Sequence, residues 1–339
     1  MAIEFPAWGH PLFVDINPDR DDDGRLSLEA GDGNGRMESE TENQPNPQPF
    51  LALQLVQESK IAKLLPNAPS NLDFEASGVL VRPNNFLVVF DNMTSIAGIS
   101  HDLIPNGLNA LVGMAKDEVG FEGIAYNHSQ QRYYLLVEAR KRKRDHFQAQ
   151  IVEYDDSFRF VESRSADFLF KDDKKGFEAI GCMRRNEQDY VLALCEGNKC
   201  RSGKKGRKPG GGRIQLFERH KKQWSHVTTI KLPKAVKFMD YSGMSIRQDR
   251  VSIVSQENSE LWVGRFNETT WSWRDDGQVY RFPRDPDGRI LYGNVEGVDW
   301  VTPNRIVTVS DRVKKEQTEK VGGERLEEKD QSIHIFEIP

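Results

Sequence analysis

The sequence predicts an all-β protein, a five-bladed β-propeller, on three observations. One phrase recurs five times, each recurrence opens a unit of short strands, and a spare strand before the first unit can complete the last. The phrases are DFEASGVLV at Glu75, GFEGIAYN at Glu122, GFEAIGCM at Glu178, FMDYSGMSI at Asp240 and NVEGVDWV at Glu296, separated by 47, 56, 62 and 56 residues. β-branched and aromatic runs between turn residues, four to such a unit, are what a propeller blade requires.

The second unit shows the grammar most plainly: FEGIAYN, the turn HSQQ, RYYLLVEA, a basic loop, FQAQIVEY, the turn DDS and FRFVESRS. The third repeats it with FEAIGCM, YVLALCEG, RIQLFERH and SHVTTIKL, and the fourth with YSGMSI, RVSIVSQEN, ELWVGRF and WSWRDDGQVYRF. The fifth has only VEGVDWV, RIVTVSD and SIHIFEI before the chain reaches Pro339. The run FLALQLVQESKIAKLL, which precedes the first unit, is expected to supply the missing outer strand and so remove an unpaired blade edge. The propeller would then span residues 50–339, with six blades as the alternative if the preceding arm folds.

That arm, residues 1–49, holds eleven Asp or Glu against three Arg, a net of −8, so the remainder of a chain at −5 carries +3. Its Asn, Gly and Pro content and its acidity are those of a disordered segment. Asp19, Asp21 and Asp23 before Gly24 open like an EF-hand loop, but the bidentate position is Ala30 with Glu29 one place early, and a solvated acidic linker is the expectation. Elsewhere, 37% hydrophobic and 29% charged residues with no long apolar run argue against a membrane span. The first residues show neither a basic n-region nor an apolar h-region, and a cytoplasmic location is expected. Three cysteines (Cys182, Cys195, Cys200) without a CxxC pair read as free thiols of a reducing compartment.

The repeat also carries the candidate chemistry. Glu75, Glu122, Glu178, Asp240 and Glu296 open the first strands, and Asp91, Glu138, Glu196, Glu257 and Asp311 end the second strands. The first two strands of a blade form an antiparallel hairpin, so both sets are expected at one mouth of the channel. Carboxylates crowded there repel one another unless protons or cations intervene. Oxygen donors without a His or Cys cluster suit calcium first and magnesium or manganese second. The structural alternative is a set of polar groups bonded to backbone or a water column.

Two basic loops are expected on the same face: ARKRKRDH, with Arg140 and Arg142, and GNKCRSGKKGRKPGGGR, with Lys199 and Arg201 and a glycine run expected to be mobile. An acidic centre with a basic rim suits a site that holds a cation and receives a small anion. Neither loop has the aromatic-interleaved pattern of a nucleic-acid binder, and a protein partner at the rim stays open. There is no GxSxG elbow, the seven histidines are scattered, and His334 within the last strand reads as packed. Chemistry, if present, would use metal-activated water with a carboxylate base among Glu122, Glu138, Glu178 and Glu196.

The FEGIAY and FEASG openings, with YYLLVEA and RIVTVSD as second strands, resemble the SdiA-regulated and phytase-esterase-like propeller proteins across residues 50–339. A more distant similarity is to calcium-activated nucleotidases (apyrases), five-bladed propellers with calcium among channel carboxylates. That resemblance implies a calcium-side ring of Glu75, Glu122, Glu178, Asp240 and Glu296, with blade four departing through DYSG. Two functions stand side by side: a calcium-centred hydrolase of a phosphorylated or other anionic small ester, and a non-catalytic binding propeller with a structural metal.

Overall fold

Each recurring phrase becomes the innermost strand of its own sheet. The structure, a computed structural model, describes residues 51–113, 120–141, 146–171, 176–312 and 326–339. The arm and its EF-hand-like run lie outside these. Blade 1 comprises Ala76–Val81, Phe86–Phe90, Ser95–Ile99 and Ala110–Gly113. Blade 2 comprises Phe121–Asn127, Arg132–Lys141, Phe147–Asp155 and Phe160–Ser165. Blade 3 comprises Phe177–Arg185, Gln188–Cys195, Arg213–Arg219 and Trp224–Lys231. Blade 4 runs from Gly243–Arg247 through Arg250–Ser255 and Glu260–Asn267 to Gln278–Arg281, and blade 5 has Val295–Thr302, Arg305–Ser310 and Ser332–Glu337. The expectation of five blades holds.

The missing outer strand of blade 5 is Gln54–Lys60, which pairs antiparallel with Ser332–Glu337. The same segment also does something the sequence did not suggest: Leu51–Ala52 lies parallel to the outer strand of blade 4. One stretch of chain therefore staples two neighbouring blades. Glu58 anchors it, contacting the Lys329 ammonium, His334 Nδ1 at 3.2 Å and the Tyr292 hydroxyl at 3.2 Å. Ser310 Oγ lies 3.1 Å from His334 Nε2, so Ser310, His334 and Glu58 have the order of a nucleophile relay. Ser310 and His334 are buried at 2% and 0% exposure, which makes the relay a ring-closing hydrogen-bond chain.

Apolar side chains concentrate at five blade-to-blade interfaces. Val88 and Phe90 of blade 1 meet Val307 and Ile333 of blade 5, just as Leu194 and Leu216 of blade 3 meet Ile253 and Trp262 of blade 4. The closing interface is thus of the same kind as the others, and burial of this apolar area is what holds a ring of separate sheets together.

Near the axis the inner strands almost touch. A Cβ on Gly297 would sit 2.8 Å from Gly78 Cα, and one on Gly78 would sit 3.0 Å from Gly123 Cα. Blades 1, 2, 4 and 5 have glycine at this position, where adjacent backbones leave little room for a side chain, and blade 3 has the small Ala179. Immediately before it, the ladder slips by one residue, for instance between Phe121 and Gly123 and between Phe177 and Ala179. This is a β-bulge, which turns one side chain out of the regular alternation.

Two expectations about blade 3 are corrected. Cys195 and Cys200 form a disulfide, and only Cys182 is free, so the thiol argument for a reducing compartment falls. The glycine-rich loop is folded rather than mobile. Asn198, 1% exposed, donates to the carbonyls of Gly206, Phe238 and Met239 and accepts from Gly211 N–H and the Tyr241 hydroxyl. A buried amide with all its bonds made fixes a loop that composition alone marks as loose.

Candidate functional site at the carboxylate mouth

The bulge settles which residues are equivalent. It falls on Ser77, Glu122, Glu178 and Glu296, and the glycine alignment adds Ser242 in blade 4. Glu75 and Asp240 stand two residues earlier and are counterparts of each other, which corrects the five-carboxylate ring. The shared signal was [DE]-x-S-G in both phrases. Where serine occupies the bulge it ties blades together: Ser77 Oγ donates to Phe121 O, and Ser242 Oγ to Val295 O at 2.8 Å. A void of only about 10 Å³ on the axis is lined by Ser77, Glu122, Glu178 and Glu296.

Backbone hydrogen bonds join the ends of the second strands to residues that precede the first strands. Asp91 N–H bonds Glu75 O at 3.0 Å, and Asp311 N–H bonds Asn294 O at 3.0 Å. Glu196 links blades 3 and 4, with Tyr241 N–H reaching its carbonyl at 2.9 Å. In blade 4 the ladder gives the equivalent place to Gln256, one residue before Glu257. Glu257 instead takes the Arg207 guanidinium at 2.6 Å. The side chains of Glu138 and Arg140, and all of Arg142, lie outside what the structure describes.

Asp240 is a buried acid of the mouth, at 5% exposure. Its Oδ1 accepts the Ser255 hydroxyl at 2.5 Å and Glu257 N–H at 3.1 Å, while Oδ2 is buried with no hydrogen-bond partner. Burial pushes the carboxyl up to about 7, with the charges of Glu257 and Glu196 adding to the effect and the Ser255 and Glu257 hydrogen bonds opposing it. Two amide oxygens at this end, Gln256 Oε1 and Asn294 Oδ1, are likewise buried without partners. Among the described residues, no three His, Cys, Asp or Glu side chains form a metal-binding group by themselves.

Lys199 and Arg201, expected as an anion clamp, open with Lys171, Ser202 and Lys205 on a separate cavity of about 560 Å³ against Phe168, Leu169 and Phe170. From the same loop, Arg207 reaches Glu257, an acid of the mouth.

Another cavity, about 540 Å³, lies at the far ends of the inner strands, for which the sequence suggested no site. Val79, Ile124, Ile180, Met244 and Val298 line both it and the axial void, so this apolar ring is the partition between them. Beyond the ring stand Arg82, Tyr126, His128, Cys182, Arg247 and Trp300. Asp299 belongs here too: it accepts Val81 N–H at 2.6 Å, Trp300 N–H at 2.8 Å and the Ser245 hydroxyl at 2.5 Å. It therefore bonds groups from blades 1, 4 and 5. Burial raises its carboxyl and pushes the Cys182 thiol up to about 12.

No family model matches the chain, and no curated protein matches its sequence. Solved structures similar to it include the PQQ-bound form of aldose sugar dehydrogenase from Streptomyces coelicolor, at 11% identity and TM-score 0.42, covering 83% of this chain and 98% of that one. Another is glutaminyl cyclase from Myxococcus xanthus, at 10% identity and TM-score 0.46, covering 86% of this chain and 100% of that one.

Proposed function

We propose that the carboxylate mouth binds a divalent cation, calcium before magnesium or manganese, and hydrolyses a phosphorylated or other anionic small ester there. The observation that carries this is Asp240 Oδ2, a buried carboxylate oxygen without a donor, at the same end as the donorless amide oxygens of Gln256 and Asn294. Buried acceptors with no N–H or O–H to face are costly alone and are stabilised by a cation. Calcium takes carboxylate, amide and carbonyl oxygens together, so it does not need three carboxylates of its own. When bound, it would supply a Lewis acid and a more acidic water. A carboxylate among Glu122, Glu178, Glu196 and Glu138 would accept the proton as that water's oxygen attacks and the ester bond to the leaving alcohol breaks.

The second reading is a binding propeller without catalysis. It is favoured by the narrow axial void and by the lack of a three-carboxylate cluster among the described residues. Phosphate and alcohol release from a panel of nucleotides, sugar phosphates and carboxylic esters, with calcium, magnesium or chelator, separates the two. Calcium-dependent release that disappears in Glu178→Gln supports the hydrolase. Silence across the panel, with calcium still raising Tm, leaves the binding propeller.

A further inference from the structure

The far cavity has the size of a small-molecule site, and its floor is the apolar ring Val79, Ile124, Ile180, Met244 and Val298. Its polar groups are mainly hydrogen-bond donors. The one carboxylate among its lining residues, Asp299, already accepts three hydrogen bonds. The Arg82 guanidinium sits 3.5 Å from the Tyr126 ring centroid and 3.7 Å from Asp156, so most of its charge is matched. Arg247 has no carboxylate within 4 Å among the described residues, and its guanidinium donates to Trp300 O at 3.2 Å. Trp300, 2% exposed, has a buried indole N–H with no acceptor, and His101 Nε2 is also buried without a partner. Trp300 packs in the core between blades 4 and 5 with the Arg250 guanidinium 4.2 Å from its ring centroid, so the exposed donor that a complementary molecule would meet with an acceptor oxygen is Arg247.

We propose that this cavity binds a small organic monocarboxylate with a flat apolar body, its head held by Arg247 and its body against the apolar ring and Tyr126. A guanidinium pairs with a carboxylate through two parallel N–H bonds, and an aromatic wall favours a planar body. Arg82 is shared with Asp156, and the Asp299 carboxyl lies in the same lining and interacts with Arg247, so a second negative charge is disfavoured and the site fits a monoanion better than a phosphate dianion. The site is independent of the cation proposed at the other mouth.

Isothermal titration of the full chain with benzoate, 2-naphthoate, benzamide and phenyl phosphate tests this. The two carboxylates are expected to bind at one site per chain, naphthoate more tightly, with benzamide at least tenfold weaker. Arg247→Ala, a change at an exposed position, is expected to weaken 2-naphthoate at least tenfold and Arg247→Lys to recover part of the loss. Asp240→Asn, at the opposite mouth, is expected to leave it unchanged. Equal binding of benzamide, preference for phenyl phosphate, an unaltered Arg247→Ala, or no saturable heat up to about 10 mM would each overturn the proposal.

Discussion

The two ends of the axis are built from the same five strands and differ in kind. At the mouth where the strands begin, a bulge repeats in register and acids recur at neighbouring positions. At the other end the position three residues past the collar is Val81, Tyr126, Cys182, Ile246 and Trp300, five different side chains. The close approach of backbones at the collar constrains the beginning of each strand, so the blades resemble one another there. Further along, the strands diverge and each blade can contribute a different group. A repeat therefore advertises the end that is geometrically constrained, and a site assembled from unlike residues at the other end leaves no periodic trace.

The largest expected effect breaks this comparison at the far end. Asp299→Ala leaves Val81 N–H, Trp300 N–H and the Ser245 hydroxyl without their acceptor, and should cost about 4 kcal/mol in denaturant unfolding. A loss well under about 1 kcal/mol would mean that the carboxyl does not hold blades 1, 4 and 5 together. Gly297→Ala strikes the collar that both ends share, placing a methyl group 2.8 Å from Gly78 Cα, and should cost about 2 to 3 kcal/mol. Reduction of Cys195–Cys200 should cost about 2 kcal/mol, since the closed loop is short, with a slower thermal shift readout adequate to see it.

The smallest effect is a matter of sign. The Asp240 carboxyl is raised above its unfolded value of 3.8 to about 7, so the folded state holds the proton more tightly. Its contribution to stability is full below about pH 4 and is lost as pH rises through about 7. Asp240→Asn should therefore leave metal-free stability unchanged at pH 4 and raise it by about 1 kcal/mol or more at pH 8. Ring closure runs the other way. Glu58 is lowered to about 2, chiefly by its hydrogen bond to His334, and His334 is lowered by burial, so this stabilisation is present at neutral pH. It weakens as pH falls below the unfolded histidine value and is gone once Glu58 protonates near 2. Glu58→Gln should flatten the acid limb of an unfolding profile and leave the alkaline limb alone.

Much of the fold was legible because the physics that makes a propeller is local and repeated. Strand length and turn residues recur in every blade and the collar glycine in four of the five, with Ala179 in blade 3, and the incomplete fifth unit pointed to the Gln54–Lys60 strand. The register of the carboxylates was only partly legible. Glu75 and Asp240 look like Glu122 in sequence, but the bulge that decides which side chain faces the axis is a tertiary feature, visible in retrospect only through the glycine. The Cys195–Cys200 bond and the Asn198-centred loop escaped notice because both depend on where a long insertion folds back. Asp299 escaped although it posed the same question as Glu122, a carboxylate in an apolar strand without a basic neighbour.

The central claim is that Asp240 and the acceptors around it hold a cation. Its most direct test is the melting temperature of the wild-type chain and of Asp240→Asn at pH 8 across a calcium titration from excess chelator. The account predicts a saturable rise for the wild type, close to 2.7 kcal/mol of added stability when free calcium is about 100 times Kd, and no rise for Asp240→Asn. Equal rises in both chains, or none in the wild type, would contradict it.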